Sequence, residues 1–258
     1  MAFHETFTPR PDARWRITRQ AGAHALLHAG GLRLLHTRTD ARRYANAQID
    51  DYAGLARQRF PWSPPLTLTV RAAASGPLAG TAGFGFWNSP ISPIGTVLPV
   101  LPAALWFFHG SPPGDMPLAA GVPGHGWKAA TIDATTRRAW AWAPLTLPVL
   151  LANRWPAAER RVWPRVQRDL AIAEVALPPL TSQPRSYTLD WRRDGARFAV
   201  DGTTLLETER VPRGPLGFVA WLDNQYMIAT PRGRFAWGLL PTADQWLDLA
   251  EITITRGG

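Results

Sequence analysis

The chain has 258 residues, 46% of them apolar, a formal net charge of +9 and no cysteine. That length admits one large β-sandwich or two small domains, and the missing cysteines exclude disulfides and thiolate chemistry while leaving the compartment open. The basic residues are arginines apart from Lys128 and are scattered from Arg10 to Arg256, densest over Arg154–Arg168; they fit a GC-rich genome's codon bias as well as an anionic partner, and no nucleic-acid-binding motif accompanies them.

In chain order, MAFHETFTPRPDARW has no apolar run of signal-peptide length. The longest apolar stretches, around Val97–Phe108 and Pro144–Ala152, are proline-broken and too short to span a bilayer, so the expected location is cytoplasmic. Residues 1–60 read as short strands with polar turns, His24–His28 leading through Gly30-Gly31 into Leu32–Leu35. In LTLTVRAAA, Leu66, Leu68 and Val70 alternate with Thr67, Thr69 and Arg71, the period of a strand with one polar face. Gly80–Asn88 is the next strand, and its small residues at 83 and 85 leave room for another backbone or a ligand. A proline-rich loop leads to Ala103–His109, an apolar strand expected to be buried on both faces, and Gly121–Thr131 is a glycine-rich loop running into a strand.

Residues 137–180 break this rhythm. Ala157–Leu170 carries helix formers behind Pro156, a favoured first helical residue, while Pro164 predicts a kink or an end. We therefore expect one or two short helices inserted between strands, as a cover over one end of a sandwich. Strand rhythm returns at Ala171–Leu177. Tyr187–Glu207 reads as two successive hairpins, with Asp194-Gly195 and Asp201-Gly202 as primed-turn signals. GPLGFVAWLDNQY at 214–226 and a final strand at 246–256 follow. The sum predicts an all-β, two-sheet antiparallel jelly-roll sandwich, one domain over 1–258 with an insert at about 137–170.

This ordered set resembles the concanavalin A-like lectin/glucanase superfamily, in particular its laminarinase-like family 16 glycoside hydrolases. The matching residues are Leu66–Arg71, GFGFWN at 83–88, Tyr187 with Trp191, FAVDG at 198–202 and EITI at 251–254. The resemblance implies two curved sheets with a concave cleft. It also implies a catalytic Glu-x-Asp-x-(x)-Glu on one cleft strand, two carboxylates close enough for retaining chemistry. The strand in the corresponding order, Ala104–Gly110, holds no carboxylate, and none of the six glutamates (5, 159, 174, 207, 209, 251) forms such a pair with an aspartate on an apolar strand. The chain is therefore expected not to be a glycosidase of that type.

Candidate site residues follow from residue chemistry. Asp223, Asn224 and Gln225 offer the donors and acceptors that sugar hydroxyls need, and Trp221 and Tyr226 offer ring faces. Trp87 and Asn88 end a strand expected to line the cleft, and Trp106 and His109 lie on the strand that replaces the catalytic one. His125, Trp127 and Lys128 form a glycine-rich approach that could meet an anionic or carbonyl group. Two histidines without a third ligand make a poor metal case, and the sequence carries no serine elbow, phosphate loop or dinucleotide fingerprint, so no metal or cofactor is expected. The favoured reading is a non-catalytic module binding carbohydrate or a similar small ligand through Trp87, Trp106, Trp127 and Trp221. One alternative is an enzyme using His109 or His125 in the same cleft. Another is an interaction protein docking on an acidic partner or membrane surface through the arginine- and tryptophan-rich insert.

Overall fold

A computed structural model describes residues 2–90 and 100–257; the stretch 91–99 of the proline-rich loop expected after Asn88 lies outside them. The first nine strands are β1 (Ala2–Glu5), β2 (Arg16–Gln20), β3 (Ala23–His28), β4 (Gly31–His36), β5 (Asn46–Asp50), β6 (Leu66–Ala74), β7 (Thr81–Trp87), β8 (Ala103–Gly110) and β9 (Gly126–Asp133). Helices α1 (Arg137–Ala141), α2 (Thr146–Ala152) and α3 (Pro156–Asp169) follow. The chain ends with β10 (Ala173–Ala176), β11 (Arg185–Trp191), β12 (Ala196–Val200), β13 (Thr203–Thr208), β14 (Gly217–Asp223), β15 (Gln225–Ala229), β16 (Phe235–Leu239) and β17 (Gln245–Arg256).

The strands form two large antiparallel sheets. One runs β13-β12-β11-β6-β17-β4-β3, with β1 pairing the far half of β17; the other runs β10-β9-β8-β7-β14-β5-β2. β15 and β16 make a separate hairpin. Both terminal strands thus lie in one sheet, with Ala2 opposite Thr255.

The core is the space between the sheets, filled by alternate residues from each. Leu68 and Val70 of β6, Leu189 and Trp191 of β11, and Ile252 and Ile254 of β17 meet Phe84 and Phe86 of β7, Leu105 and Phe107 of β8, and Phe218 of β14. Tyr187 packs edge-on against Phe84 and Phe107 with ring centroids 5.3 and 5.2 Å apart, and Trp191 lies 5.5 Å from Phe86. Each such fully buried large side chain contributes roughly 1.5–3 kcal/mol of transfer free energy.

The double hairpin is β11-β12-β13. Asp201 and Gly202 both take left-handed backbone, φ 49° and 80°, as a two-residue primed turn requires. Asp194-Gly195 does not. That connection spans four residues closed by the Arg192 amide donating to the Gly195 carbonyl, and Gly195 is not left-handed. Glycine is needed there for another reason, since a Cβ would come within 2.5 Å of the Thr208 carbonyl on β13.

The insert forms three helices between β9 and β10, at one edge of the second sheet. Pro164 does not end α3, which continues to Asp169. The turn beyond it is held by burial of Val166 and by the Gln167 side chain donating to the Leu118 carbonyl, which offsets the lost backbone bond. Among the described residues no helix is long and apolar enough to cross a membrane.

Candidate functional site

Strand alternation decides which residues leave the core. On β7, Phe84 and Phe86 face inward, so Gly83, Gly85 and Trp87 face out. The register places Gly85 between Trp106 of β8 and Val219 of β14, and Gly83 between Phe108 and Trp221. The outer face of the second sheet therefore carries Trp87, Trp106 and Trp221 together. Their centroids are 6.3 Å (87–106), 6.0 Å (106–221) and 6.4 Å (87–221) apart, and the Trp87 and Trp221 planes differ by only 7°. All three are partly exposed.

The glycines explain how indoles pave a sheet. A Cβ on Gly83 would sit 2.8 Å from the Trp221 ring, and one on Gly217 would sit 2.2 Å from the Tyr52 ring. Without side chains at these points the rings lie over the β7 and β14 backbone. The Trp87 indole N–H donates to the Tyr52 hydroxyl at 2.7 Å and that of Trp221 to Thr81 Oγ1 at 2.9 Å, which fixes both rings. Trp106 Nε1 is buried without a hydrogen-bond partner.

Polar groups rim this floor. Gln48 of β5 lies opposite Trp221, and its amide donates to Asp50 at 3.0 Å. Asp50, opposite Val219, also accepts from the Ala53 amide at 2.8 Å, and burial raises its carboxyl above the usual range. Sequence reasoning missed Gln48, Asp50 and Tyr52; NAQIDDY carries no motif, and only the register of β5 against β14 brings them here.

At the other edge, Lys128 of β9 and Glu174 of β10 form an ion pair of 2.6 Å with neither side chain exposed. Lys128 also donates to the Met116 and Pro123 carbonyls at 3.0 and 3.1 Å, while Glu174 accepts the Leu118 and Ala119 amides at 3.0 Å each. The pair pins the loop before β9 to the sheet edge. Burial lowers the lysine's pKa against the opposing pull of Glu174. Lys128 was expected to meet a ligand; every donor contact found is internal.

Other expected site residues are also placed elsewhere. Trp127 is 3% exposed and faces the core, packed against Phe84 and Tyr187, because it has the opposite parity to Lys128. His109 shares the inward parity of Phe107; its Nε2–H donates to the Leu78 carbonyl at 3.0 Å, and burial lowers its pKa. His125 is exposed on the loop before β9, off the tryptophan floor. Asn88 and Asn224 are backbone clamps. The former donates to Leu101 O and accepts from the Ala103 amide, and the latter joins the Ala45 amide to the Arg43 and Leu240 carbonyls. Asp223 is buried, accepts from Thr81 Oγ1 at 2.8 Å and from the Gln225 amide at 3.0 Å, and is pushed up to about 6 by burial. It braces Thr81, which in turn holds Trp221. Gln225 and Tyr226 begin the β15–β16 hairpin and are half-buried, the Tyr226 ring lying against Gly238. Of the expected set, the structure brings Trp87, Trp106 and Trp221 together as one surface.

That surface can stack on the apolar face of a ring-shaped ligand while the rim supplies hydrogen bonds. The outward positions of β8 are Ala104, Trp106 and Phe108, none of which can donate or accept a proton in catalysis. Among the described residues, no three histidine or carboxylate side chains gather as a metal-ligand set. An open groove of about 280 Å³ lies on the insert and another of about 580 Å³ lies beside Arg38 and Thr242. Neither is on the tryptophan floor.

No protein-family model and no curated protein matches the chain. Solved structures do. A Crh5 transglycosylase in complex with NAG aligns with TM-score 0.54 at 12% identity, covering 100% of this chain and 84% of that one. The VIP36 exoplasmic/lumenal domain bound to Ca2+ and Man3GlcNAc aligns with 0.52 at 11%, covering 100% and 88%. A pseudo β-1,3-glucanase of Mycobacterium tuberculosis aligns with 0.53 at 10%, covering 99% and 98%. At these identities the likeness is one of architecture, and with the two-sheet topology it identifies the fold of this chain as the concanavalin A-like jelly roll.

Proposed function

We propose that this protein binds a carbohydrate without cleaving it, on the open outer face of the β10-to-β2 sheet. The observation that carries this reading is the set of three mutually touching, partly exposed tryptophans, fixed through Tyr52 and Thr81 and seated over glycines. Fixed indoles lose little entropy on binding, and flat ring faces match the C–H faces of pyranose rings. Gln48 stands beside Trp221 as a hydrogen-bonding neighbour for hydroxyls. The sugar-bound transglycosylase and lumenal domain among the similar structures support a saccharide ligand, and the pseudo-glucanase supports a silent cleft. The absence of a carboxylate on β8 supports the same conclusion. The reading keeps the expected cytoplasmic location, which cell fractionation tests.

The experiment is a glycan array followed by tryptophan-fluorescence titration. Trp106→Ala is expected to weaken binding about tenfold, since losing some 60 Å² of ring burial costs roughly 1.5 kcal/mol. Trp106→Phe should recover most of the affinity, which separates lost stacking from lost folding. A protein that binds no glycan, or that releases reducing ends from a β-glucan, overturns the proposal.

A further inference from the structure

The fold gathers charge that the sequence spreads out. The hairpin turn beyond β15 lies against the insert: Asn153 of the α2–α3 junction donates to the Pro231 carbonyl at 2.9 Å, Gly233 lies beside Leu150, and Arg232 pairs with Glu159 of α3 at 2.8 Å. Residues 137–170 hold seven arginines against Glu159 and Asp169, and residues 225–239 add Arg232 and Arg234 with no carboxylate. Asp115, which bridges to β15 and pairs with Arg234 at 3.5 Å, belongs to the same end, so this end has a net charge of +6, against +9 for the whole chain.

The same end carries the most exposed large apolar side chains of the described residues. Phe235 is 72% exposed, Leu147 67%, Trp155 66%, Trp237 63% and Trp140 59%. Phe235 and Trp237, two apart on β16, share one face of the hairpin. Soluble surfaces seldom leave so many rings in water at one place. On the insert, the open groove of about 280 Å³ is lined by Trp142, Leu145, Val149 and Val162, with Arg165 among its lining residues.

We propose that the helical insert and the β15–β16 hairpin together form a docking surface for an anionic lipid bilayer. Arginine attracts anionic headgroups, and tryptophan, phenylalanine and leucine partition into the interfacial layer. An acidic protein would answer the charge alone. A bilayer answers the charge, the protruding rings and an open apolar groove beside a guanidinium.

The test is co-sedimentation of the full chain with vesicles of phosphatidylcholine alone and of phosphatidylcholine mixed with phosphatidylglycerol. Binding is expected only to the mixed vesicles and is expected to weaken at high salt. The double variants Phe235→Ala/Trp237→Ala and Arg160→Glu/Arg161→Glu should each lower it at least about tenfold. All four residues are exposed, so circular dichroism should match the parent. Equal binding to both vesicle types, undiminished binding by both variants, or capture by polyglutamate without vesicle binding overturns the proposal, the last outcome pointing to an acidic protein.

Discussion

His36 sits at the end of β4 with no exposed surface; its Nε2–H donates to the Leu222 carbonyl of the opposite sheet at 2.9 Å, and Nδ1 meets no partner. Burial holds this ring neutral, with a pKa lowered to about 4. A folded pKa below the unfolded 6.5 gives stability that is fully present above pH 6.5 and is lost as pH falls towards 4. Asp51 and Asp223 act in the opposite sense. Burial raises them to about 7 and about 6, so their contribution is greatest below pH 4 and is lost as pH rises through those values. The net profile of the parent is accordingly flattened, and the histidine is isolated only by comparison. His36→Gln should be less stable than the parent at pH 8 and should lose less stability on going to pH 4.5, by something on the order of 1–3 kcal/mol. Urea midpoints at the two pH values measure this, and parallel shifts for both proteins would contradict it.

The strand pair β7–β8 supplies the tryptophan floor, and its spacing depends on Gly85. This residue has φ 153°, and a Cβ would lie 2.4 Å from the Leu105 carbonyl and 2.6 Å from Trp106 Cα, both backbone atoms with nowhere to yield. Gly85→Ala should therefore destabilise the protein by about 2–4 kcal/mol and displace Trp106, visible as a lower denaturation midpoint and a changed near-ultraviolet signal. A variant with parental stability would show that the two strands can separate freely. Elements of this kind differ in how far the sequence announces them. β6, β11 and β17 alternate apolar with polar residues and are legible at once. β8 is apolar on both faces, so period two has no contrast, and nothing in AALWFFHG indicates that Trp106 faces out while His109 faces in. The β15–β16 hairpin is not legible at all, because Phe235, Ala236 and Trp237 of β16 are exposed in succession and every residue of β15 is half-buried, so no alternation marks either strand.

Across the whole molecule, the order of strands and the two-sheet architecture follow from local alternation and turn chemistry, since both act between neighbours in sequence. The site does not, because it depends on which strands become neighbours in a sheet. Asn88 and Asn224 illustrate the limit: both have the chemistry to hold a sugar, and the fold uses both to clamp backbone. Lys128 has a consequence of a different kind. It is the only lysine, and its side chain has no exposed surface. The folded protein thus offers no lysine amine to acylating reagents or lysine-modifying enzymes, and reaction there requires the β9–β10 edge to open. Under native conditions an N-hydroxysuccinimide ester should leave Lys128 unmodified by mass spectrometry and should label it in denaturant; labelling at the speed of a free lysine would show that the edge is already open. One residue becomes a clock for the breathing of the sheet edge that borders the insert.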